Sequence, residues 1–454
     1  MKIIGMDIGT TSITGLVYDL EHRRAVHSIT EKNSAHLRAS REDWERLQDP
    51  AVILNIVQGI LSNLSAVEPE VRGIGLTGQM HGIVYTDAAG KHLTPLYSWQ
   101  DGRGGQPYDD QFTVAQKLRE STGYSVAPGY GLATHLYNLQ HDLVPPRAVS
   151  FCTIADYVAM RITGRTLPLV DPTQAAGMGC YSIPEGDFDK EAIARLGINI
   201  DLLPKVTSSG TLLGLTREGI PVFTPLGDNQ ASFLGSVPFT EESILLNIGT
   251  GSQLSVLMNH LGIGAEGLEA RPYPGGGVLM VGAALSGGKS YALLEKFIRE
   301  LIEAYTGETQ EDMYTFMDKL LGDGQPSTEG LSVNPQFLGT RLHSESRGSI
   351  DGITLDNFTP GLLTHAFLQG MVDELYAFYN RMKQMSSENH WTRLIGSGNA
   401  LRANPALCTK VEERFGLPLT LSSTSEEAAI GAALCAAVGA GLIGSFKEAG
   451  QYLE

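Results

Sequence analysis

The chain has 454 residues, a hydrophobic content of 42% and a formal net charge of −17. This length allows two or three domains with well-formed cores. The negative charge disfavours nucleic acid and anionic membranes as partners, because their phosphates would be repelled. The four cysteines lie far apart and form no C-x-x-C pair. Their spacing argues against a zinc site or a disulfide framework and favours a reducing cytoplasm.

The apolar segments of the chain do not read as targeting or membrane segments. A strand-like run begins at once, without a basic stretch before a long apolar core, so a secretory signal is not expected. The longest uncharged run, residues 428–443, is rich in alanine and glycine and shorter than the roughly 20 residues that span a bilayer. We expect a close-packed buried helix there, and no membrane partner.

Strand-like and helix-like patterns alternate along the chain, which predicts an α/β fold with a parallel or mixed sheet covered by helices. A polar stretch containing a proline at 238–241 predicts a boundary between a domain of residues 1–240 and one of residues 241–454. The predicted elements are strands at 3–6, 13–18 and 73–77 and helices over 44–64, 291–305, 360–382 and 425–440.

Two short turns have nearly the same sequence, D-I-G-T-T at 7–11 and N-I-G-T-G at 247–251, and each lies between β-rich runs. Their glycines let backbone N–H groups and threonine hydroxyls approach phosphate oxygens. Either turn alone would indicate an ordinary hairpin, but two matched copies favour a duplicated phosphate clamp. Only the first turn carries an acid, Asp7. Because an acid beside phosphates needs a cation between them, we interpret Asp7 as a partner of Mg²⁺.

Asp228 lies in a G-D-N-Q segment just before the predicted boundary. A carboxylate there can act as a general base for a hydroxyl group, although a G-D-N turn is also a common structural feature. The position near the boundary favours the catalytic interpretation.

The segments G-Q-M-H-G at 78–82 and W-Q-D-G-R at 99–103 combine hydrogen-bonding side chains with one of the three tryptophans. Polar groups beside an aromatic face suit a polyhydroxylated ligand. Taken singly, His81 is also explained by a structural hydrogen bond and Trp99 by a place in the core. Their clustering favours a sugar.

Three glycine-rich segments resemble nucleotide-binding motifs, but each also has a structural explanation or departs from the motif. The stretch 391–405 predicts a strand, a glycine turn and a helix start with Asn399 as a cap, which suits either a nucleotide or a plain connection. The G-x-G-x-x-G match at 73–78 lies within a strand and lacks the following helix of a dinucleotide site. The G-G-K-S at 287–290 lacks the spacing of a Walker A loop, although its glycines can approach phosphates in another way.

Together these segments resemble the FGGY carbohydrate kinases, a family with the actin-like ATPase fold and two ribonuclease-H-like domains around a central cleft. The resemblance spans nearly the whole chain and is greatest to the sedoheptulokinases of the family, with the xylulokinases next. It implies ATP-dependent phosphorylation of a ketose, with sedoheptulose expected first, at the terminal hydroxyl. The segments that carry it are D-I-G-T-T, G-Q-M-H-G, W-Q-D-G-R, G-D-N-Q, N-I-G-T-G-S, G-S-G-N-A-L-R-A-N and E-E-A-A-I-G-A-A-L.

The resemblance also implies roles for individual residues. Asp228 would take the proton of the sugar hydroxyl, and Asp7 with Asp228 would lie at Mg²⁺. The implied sugar contacts are Gln79, Met80, His81, Trp99, Asp101, Arg103, Tyr130, Asp228 and Asn229. The implied ATP contacts are Gly9, Thr10, Thr11, Gly249, Thr250, Gly251, Gly287, Gly288, Gly396, Gly398, Asn399 and Arg402.

The chain departs from the family pattern in two places. Residues 131–138 lack the lysine and tryptophan that are usual in the first family signature, and Leu362 replaces a usual polar residue in the second. The first segment adjoins the expected sugar pocket, so this departure bears on the identity of the sugar and not on the kinase chemistry.

Two other classes of function stay open from the sequence. An actin-like ATPase that changes shape without phosphorylating a small molecule would need neither Asp228 nor the polar segment at 78–82. A nicotinamide-linked oxidoreductase would rest on residues 73–78 alone. For the kinase we expect ATP and a small sugar as partners, and a monomer or homodimer as the assembly.

Overall fold

The computed structural model describes residues 1–37, 42–260, 267–322, 330–340, 343, 345–385, 390–424 and 426–453. The strands are β1 (Lys2–Ile8), β2 (Ser12–Asp19), β3 (Arg24–Lys32), β4 (Leu47–Gln48), β5 (Ile74–Gly78), β6 (Val84–Thr86), β7 (Leu96–Tyr97), β8 (Ser150–Cys152), β9 (Leu169–Val170), β10 (Tyr181–Ser182), β11 (Asp187–Phe188), β12 (Lys205–Val206), β13 (Leu212–Leu215), β14 (Pro221–Phe223), β15 (Leu226–Gly227), β16 (Ser243–Ile248), β17 (Ser252–Met258), β18 (Leu268–Pro272), β19 (Val278–Ala284), β20 (Ser332–Asn334), β21 (Ser349–Asp351), β22 (Arg393–Ser397) and β23 (Leu419–Leu421).

Helices of very different length connect these strands. Short 3₁₀ helices span Arg103–Gly105, Ile200–Leu202 and Gly450–Tyr452. The α-helices are α1 (Pro50–Val67), α2 (Val114–Thr122), α3 (Gly131–Gln140), α4 (Ile154–Thr163), α5 (Pro172–Met178), α6 (Lys190–Ala194), α7 (Asp228–Ser236), α8 (Gly287–Thr306), α9 (Tyr314–Leu321), α10 (Pro360–Met385), α11 (Asn399–Ala403), α12 (Pro405–Phe415), α13 (Glu427–Gly439) and α14 (Phe446–Ala449).

The chain folds into two compact units, and it passes between them more than once. Unit 1 consists of Met1–Thr240, Arg271–Gly277 and Glu426–Glu454, and unit 2 of Glu241–Ala270 and Val278–Ser425. The division into domains at residues 240 and 241 stays a prediction. By packing, two later segments belong with the first unit.

The sheet of unit 1 has the order β13-β14-β5-β1-β2-β3, and β15 also pairs with β5. Strands β1 and β2 are antiparallel, whereas β5 runs parallel to β1. This mixed sheet matches the expected α/β architecture. The turn at residues 9–11 follows β1, and Asp228 follows β15, so both come directly after strands that pair with β5.

Helix α1 covers one face of this sheet. Asp49 caps its first turn by accepting a hydrogen bond from the N–H of Ala51, and Pro50 occupies the first helical position. A Cβ on Gly15 in β2 would lie 2.4 Å from the Ile60 Cγ2, so the glycine lets helix and strand approach. Among the described residues α1 alone is long and apolar enough to cross a membrane by length and composition, and 33% of it is buried in the protein.

Helix α13 packs in unit 1 against β1, β5 and α7. Cβ atoms on Gly5 and Gly75 would lie 1.9 and 1.8 Å from backbone oxygens of this helix. A Cβ on Gly235 of α7 would also lie 1.9 Å from a backbone oxygen of residue 427. These close approaches are possible only for glycine. They explain the alanine and glycine content of residues 428–443, where the expected buried helix is confirmed.

The sheet of unit 2 has the order β18-β19-β17-β16-β22-β23. Strand β16 pairs antiparallel with β17 and parallel with β22, as β1 does with β2 and β5. The turn at residues 249–251 joins β16 to β17 at the position that residues 9–11 occupy in unit 1. The two sheets therefore share one topology around two equivalent turns.

Most of the predicted helices and strands are present, but their first and last residues differ from the predicted ones. The helix predicted over 44–64 begins only at Pro50, because Asp49 caps it there, and Trp44 lies before it in a turn. The helix predicted over 425–440 is Glu427–Gly439, and residue 425 lies outside the described residues. Asn399 is the first residue of α11 and not its cap, which is Gly398.

Candidate functional site

The first turn of unit 1 is held from several sides. The Trp99 Nε1–H donates to the Thr10 Oγ1 at 2.9 Å, and the Gln48 Nε2 donates to the carbonyl oxygen of Thr10 at 3.0 Å. A Cβ on Gly9 would lie 2.7 Å from the carbonyl oxygen of Ser12, so the turn itself requires this glycine. Thr11 is exposed. The structure thus joins Trp99, a predicted sugar contact, to Thr10, a predicted ATP contact.

Asp7 lies at the end of β1, beside this turn. Burial and the negative charges of Asp228 and Glu426 raise the pKa of Asp7 from its ordinary value to about 7. Like charges that share one region cannot all ionise without a cation or a proton. The end of β1 is therefore a region where acidic side chains lie close enough to raise the pKa of Asp7.

Asp228 is the first residue of α7, directly after β15. Burial raises the pKa of its carboxyl group, while the positive charge of Arg271 and the N–H of Asn229 act in the opposite direction. The Asn229 N–H donates to the Asp228 Oδ1 at 2.7 Å. The position at a helix N-terminus also favours the ionised form. A buried carboxylate whose pKa is raised is suited to accept a proton.

Three predicted sugar contacts lie near one another and near Asp228. The His81 ring stacks on the Tyr130 ring with centroids 4.3 Å apart, and the His81 Nδ1–H donates to the carbonyl oxygen of Gly177 at 2.7 Å. Met80 is buried, and its sulfur would lie 3.1 Å from a Cβ on Gly227, the residue before the base. A larger residue at position 227 would displace Met80.

Several buried acceptors in the same segments have no hydrogen-bond partner among the described residues: the side-chain oxygens of Gln79, Asn229 and Gln230. The amide nitrogen of Gln79 is already engaged, because it donates to the Gln48 Oε1 at 3.0 Å. A buried acceptor without a partner is costly unless a ligand or water supplies a donor. Sugar hydroxyl groups are such donors.

Asp101 and Arg103 are buried and paired with protein groups. The two residues are 1% and 3% exposed, and the Arg103 Nε lies 3.1 Å from the Asp101 Oδ1. Arg103 also pairs with Glu45 at 2.7 Å and donates to the Asn138 Oδ1 at 3.2 Å. The guanidinium lies 4.1 Å from the ring centroid of Tyr97. Protein groups thus engage both charges, which is typical of a structural role, and direct contact of these two residues with a sugar stays a prediction.

The donor set around Asp7 fits a magnesium ion held jointly with nucleotide phosphates. Among the described residues no group of three or more His, Cys, Asp or Glu side chains can hold a metal ion by itself. Mg²⁺ in kinases usually takes one or two carboxylates and completes its shell with phosphates and water. Asp7, with Asp228 and Glu426 close enough to raise its pKa, supplies that kind of partial site.

In unit 2 the second turn packs against the N-terminus of α8. The N–H of Gly288 donates to the carbonyl oxygen of Gly249 at 2.9 Å, and the N–H of Lys289 to that of Thr250 at 3.1 Å. Gly287 has a φ of +28°, and a Cβ there would lie 2.2 Å from the carbonyl carbon of Gly251. The G-G-K-S segment is therefore a close-packed partner of the turn.

A cavity of about 540 Å³ opens beside this turn within unit 2. It brings together four predicted ATP contacts: Gly249, Thr250, Gly288 and Asn399. One end is formed by the turn, and much of the remaining wall is apolar. The other lining residues are Lys289, Tyr291, Ala292, Tyr314, Asp318, Leu368, Met371, Ala400, Ala403, Asn404 and Leu407.

The remaining predicted ATP contacts of unit 2 are not among the residues that line this cavity. Gly396 is buried in β22, and Gly398 has a φ of +90° that favours glycine before α11. A Cβ on Gly398 would lie 2.5 Å from the carbonyl oxygen of Ile248. Arg402 donates to the carbonyl oxygen of Thr424.

Sequence reasoning missed two charged residues that shift the pKa values of the acidic residues in the site. Arg271 lowers the pKa of Asp228 and Glu426 raises that of Asp7, yet they lie 43 and 419 residues away in sequence. No local motif marks Arg271. Lys289 is the lysine of the rejected Walker-like match, so its sequence did carry a signal.

Comparisons with known proteins agree with the fold. Residues 2–235 match the N-terminal domain, and residues 245–440 the C-terminal domain, of the FGGY family of carbohydrate kinases. The sedoheptulokinase of Mus musculus is 27% identical over 478 residues, which cover 95% of this chain and 96% of that protein.

Two solved structures have the same fold over the whole chain. The xylulose kinase of Rhodospirillum rubrum superposes with a TM-score of 0.85 at 21% identity, covering 100% of this chain and 92% of that one. The glycerol kinase of Plasmodium falciparum, solved with ADP, has a TM-score of 0.83 at 18% identity and covers 100% and 93%. The chain belongs to the FGGY family of carbohydrate kinases, enzymes that use ATP.

Proposed function

We propose that this kinase phosphorylates a ketose at its terminal hydroxyl, with sedoheptulose as substrate and sedoheptulose 7-phosphate as product. The observation that carries the proposal is the position of Asp228, a carboxylate of raised pKa at the start of α7, beside Met80 and near Arg271. The likeness to mouse sedoheptulokinase supports the choice of sugar.

In the proposed reaction the terminal hydroxyl oxygen of the sugar attacks the γ-phosphorus of ATP. The bond between that phosphorus and the β,γ-bridging oxygen breaks, so ADP leaves, and the hydroxyl proton passes to an Asp228 carboxylate oxygen. Phosphoryl transfer has a loose transition state, so positioning and charge stabilisation contribute most. Mg²⁺, where bound beside Asp7, would neutralise charge that develops on the phosphate oxygens.

The proposal assigns the sugar to unit 1. His81, fixed by its stack on Tyr130 and its bond to Gly177, presents an oriented ring to the sugar. Gln79 and Asn229 offer unpartnered acceptors to sugar hydroxyls. Trp99 is 48% exposed, so one face of the indole is available for packing against carbon atoms of the sugar.

The nucleotide is assigned to unit 2. Its adenosine would occupy the 540 Å³ cavity, with the apolar wall along the base and the turn at Gly249 and Thr250 toward the phosphates. Gly9, Thr10 and Thr11 of the first turn would contact phosphate as well. The four unpaired cysteines support a reducing cytoplasm as the compartment.

The test measures ADP release with MgATP on sedoheptulose, D-xylulose, D-ribulose and glycerol, with identification of the phosphorylated product. We expect the highest kcat/KM on sedoheptulose, a 7-phosphate product, and loss of turnover in Asp228→Asn. A clear preference for another sugar would overturn the choice of sedoheptulose and leave the kinase in place. ADP release that does not depend on any sugar would favour an ATPase switch.

A further inference from the structure

The short helix α5 contacts the segment that carries the proposed base and also the proposed sugar ligand His81. Its second and third residues, Thr173 and Gln174, bond to the peptide groups of β15 that precede Asp228. Near its other end, the carbonyl oxygen of Gly177 accepts the His81 Nδ1–H. The short helix α5 therefore links the two groups.

The bonds to β15 form a directed chain. The Gly227 N–H donates to the Thr173 Oγ1 at 2.8 Å, and the Thr173 hydroxyl donates in turn to the Asp171 Oδ1 at 2.6 Å. Asp171 also accepts the Thr173 N–H at 2.8 Å, as the cap of α5. Because the hydroxyl proton points to the carboxylate, the hydroxyl oxygen is free to accept from Gly227.

The neighbouring carbonyl group is fixed as well. The carbonyl oxygen of Leu226 accepts from the Gln174 Nε2 at 2.7 Å and from the Thr77 Oγ1 at 2.9 Å. Asp171, Thr173, Gln174 and Thr77 are all fully buried. Water therefore does not compete for these bonds, and loss of one leaves a buried group without a partner.

We propose that Asp171 and Thr173 are positioning residues for the kinase reaction: through the Gly227 N–H they hold the start of α7, and thus the Asp228 carboxylate, in register with His81. This inference rests on the proposed function, in which Asp228 is the base. Neither residue contacts the reacting atoms. Their effect on turnover passes through the placement of Asp228, where an error of about 1 Å can cost a hundredfold in rate.

The test compares Thr173→Val, which removes the hydroxyl with little change of shape, with Thr173→Ser, which keeps it. Thr86→Val is the matched control, because Thr86 is equally buried and its hydroxyl donates to the carbonyl oxygen of Ser150 at 3.4 Å, in the β6–β8 pair. We expect kcat to fall about 10- to 100-fold in Thr173→Val, with the KM for ATP unchanged. Thr173→Ser should restore most of the rate, and Thr86→Val should leave the rate unchanged.

A double-mutant cycle separates positioning from general damage. If Thr173 acts through Asp228, Thr173→Val should lower the residual rate of Asp228→Asn by less than about twofold. The Asp228→Asn variant already lacks the base, so a change in its placement has no further effect on the rate. An equal loss in both backgrounds, or normal kcat in Thr173→Val, would overturn the positioning role. Normal turnover of Asp228→Asn itself would instead overturn the proposed base. Where Thr173→Val does not fold, Asp171→Asn takes its place in the same cycle, with the same expectations.

Discussion

The two units present the same turn on the same sheet topology, yet different groups surround it. In unit 1 the strand before the turn carries Asp7, and Asp228 and Glu426 lie near it. In unit 2 the equivalent strand position is Asn247, and the turn borders a cavity with a largely apolar wall. Under the proposed function, the first turn suits a cation and the second a nucleotide.

The glycines at equivalent positions of the two turns, Gly9 and Gly249, differ in the space around them. Gly9 is required by the turn, because a Cβ would lie 2.7 Å from a backbone oxygen. A Cβ on Gly249 would meet only the Asn247 Oδ1 within 4 Å, at 3.9 Å, and the residue lines the cavity. The fold does not need a glycine at 249, so its small size is best explained by the space that it leaves for a ligand.

Among the changes that compare the two turns, the largest effect is expected from removing the acid that distinguishes the first turn. Asp7→Asn should lower kcat about 100-fold or more, because charge on the transferring phosphate would lose its cation. Steady-state kinetics at saturating Mg²⁺ measures this loss. Asp110→Asn, which removes an exposed carboxylate, is the charge-matched control. A kcat within threefold of the wild type in Asp7→Asn would contradict the cation role of the first turn.

The affinity for Mg²⁺ should fall with decreasing pH. The pKa of Asp7 is raised to about 7, so the proton competes with the ion below that pH. From pH 8 to pH 6 the deprotonated fraction falls about tenfold, and the Mg²⁺ affinity of the nucleotide complex should fall to the same extent. Calorimetry with Mg²⁺ at both pH values measures it. Asp7→Asn should lack this dependence, and an equal pH effect in that variant would place its origin elsewhere.

The smallest effects are expected from replacing the two turn glycines, Gly9 and Gly249, by alanine. Gly9→Ala should lower the free energy of unfolding by about 1–3 kcal/mol, because backbone must shift to admit the methyl group. Gly249→Ala should leave stability unchanged and weaken ADP binding about fivefold, because the methyl group enters the cavity. Urea denaturation and fluorescence titration with ADP measure the two quantities. Equal destabilisation in both variants would mean that Gly249, like Gly9, is required by its own turn.

The fold could be predicted from sequence because its signals are local and repeated. Apolar runs around 7–11 and 247–251, the Ala-rich segment at 428–443 and the turn residues are each visible in a short window. The start of α1 was missed because Trp44 and Leu47 have the spacing of apolar residues on one helix face, whereas the cap at Asp49 fixes the actual start. The return of residues 271–277 to unit 1 has no sequence signal.

The site could be predicted less completely. Asp101 and Arg103 carry the expected chemical groups, but partners distant in sequence, Glu45 and Asn138, enclose them. A motif shows which groups are present and not whether protein groups already satisfy them. The same limit hid Arg271, whose charge acts on Asp228 only in the folded chain.

The central claim is that unit 1 holds the base and unit 2 the nucleotide, and Asp228→Asn tests it most directly. Turnover on sedoheptulose and ADP affinity should be measured on the same preparation. We predict a fall in kcat of about 100- to 10,000-fold with an ADP affinity within twofold of the wild type. Near-normal turnover, or a loss of ADP affinity that matches the loss of rate, would contradict this division of roles.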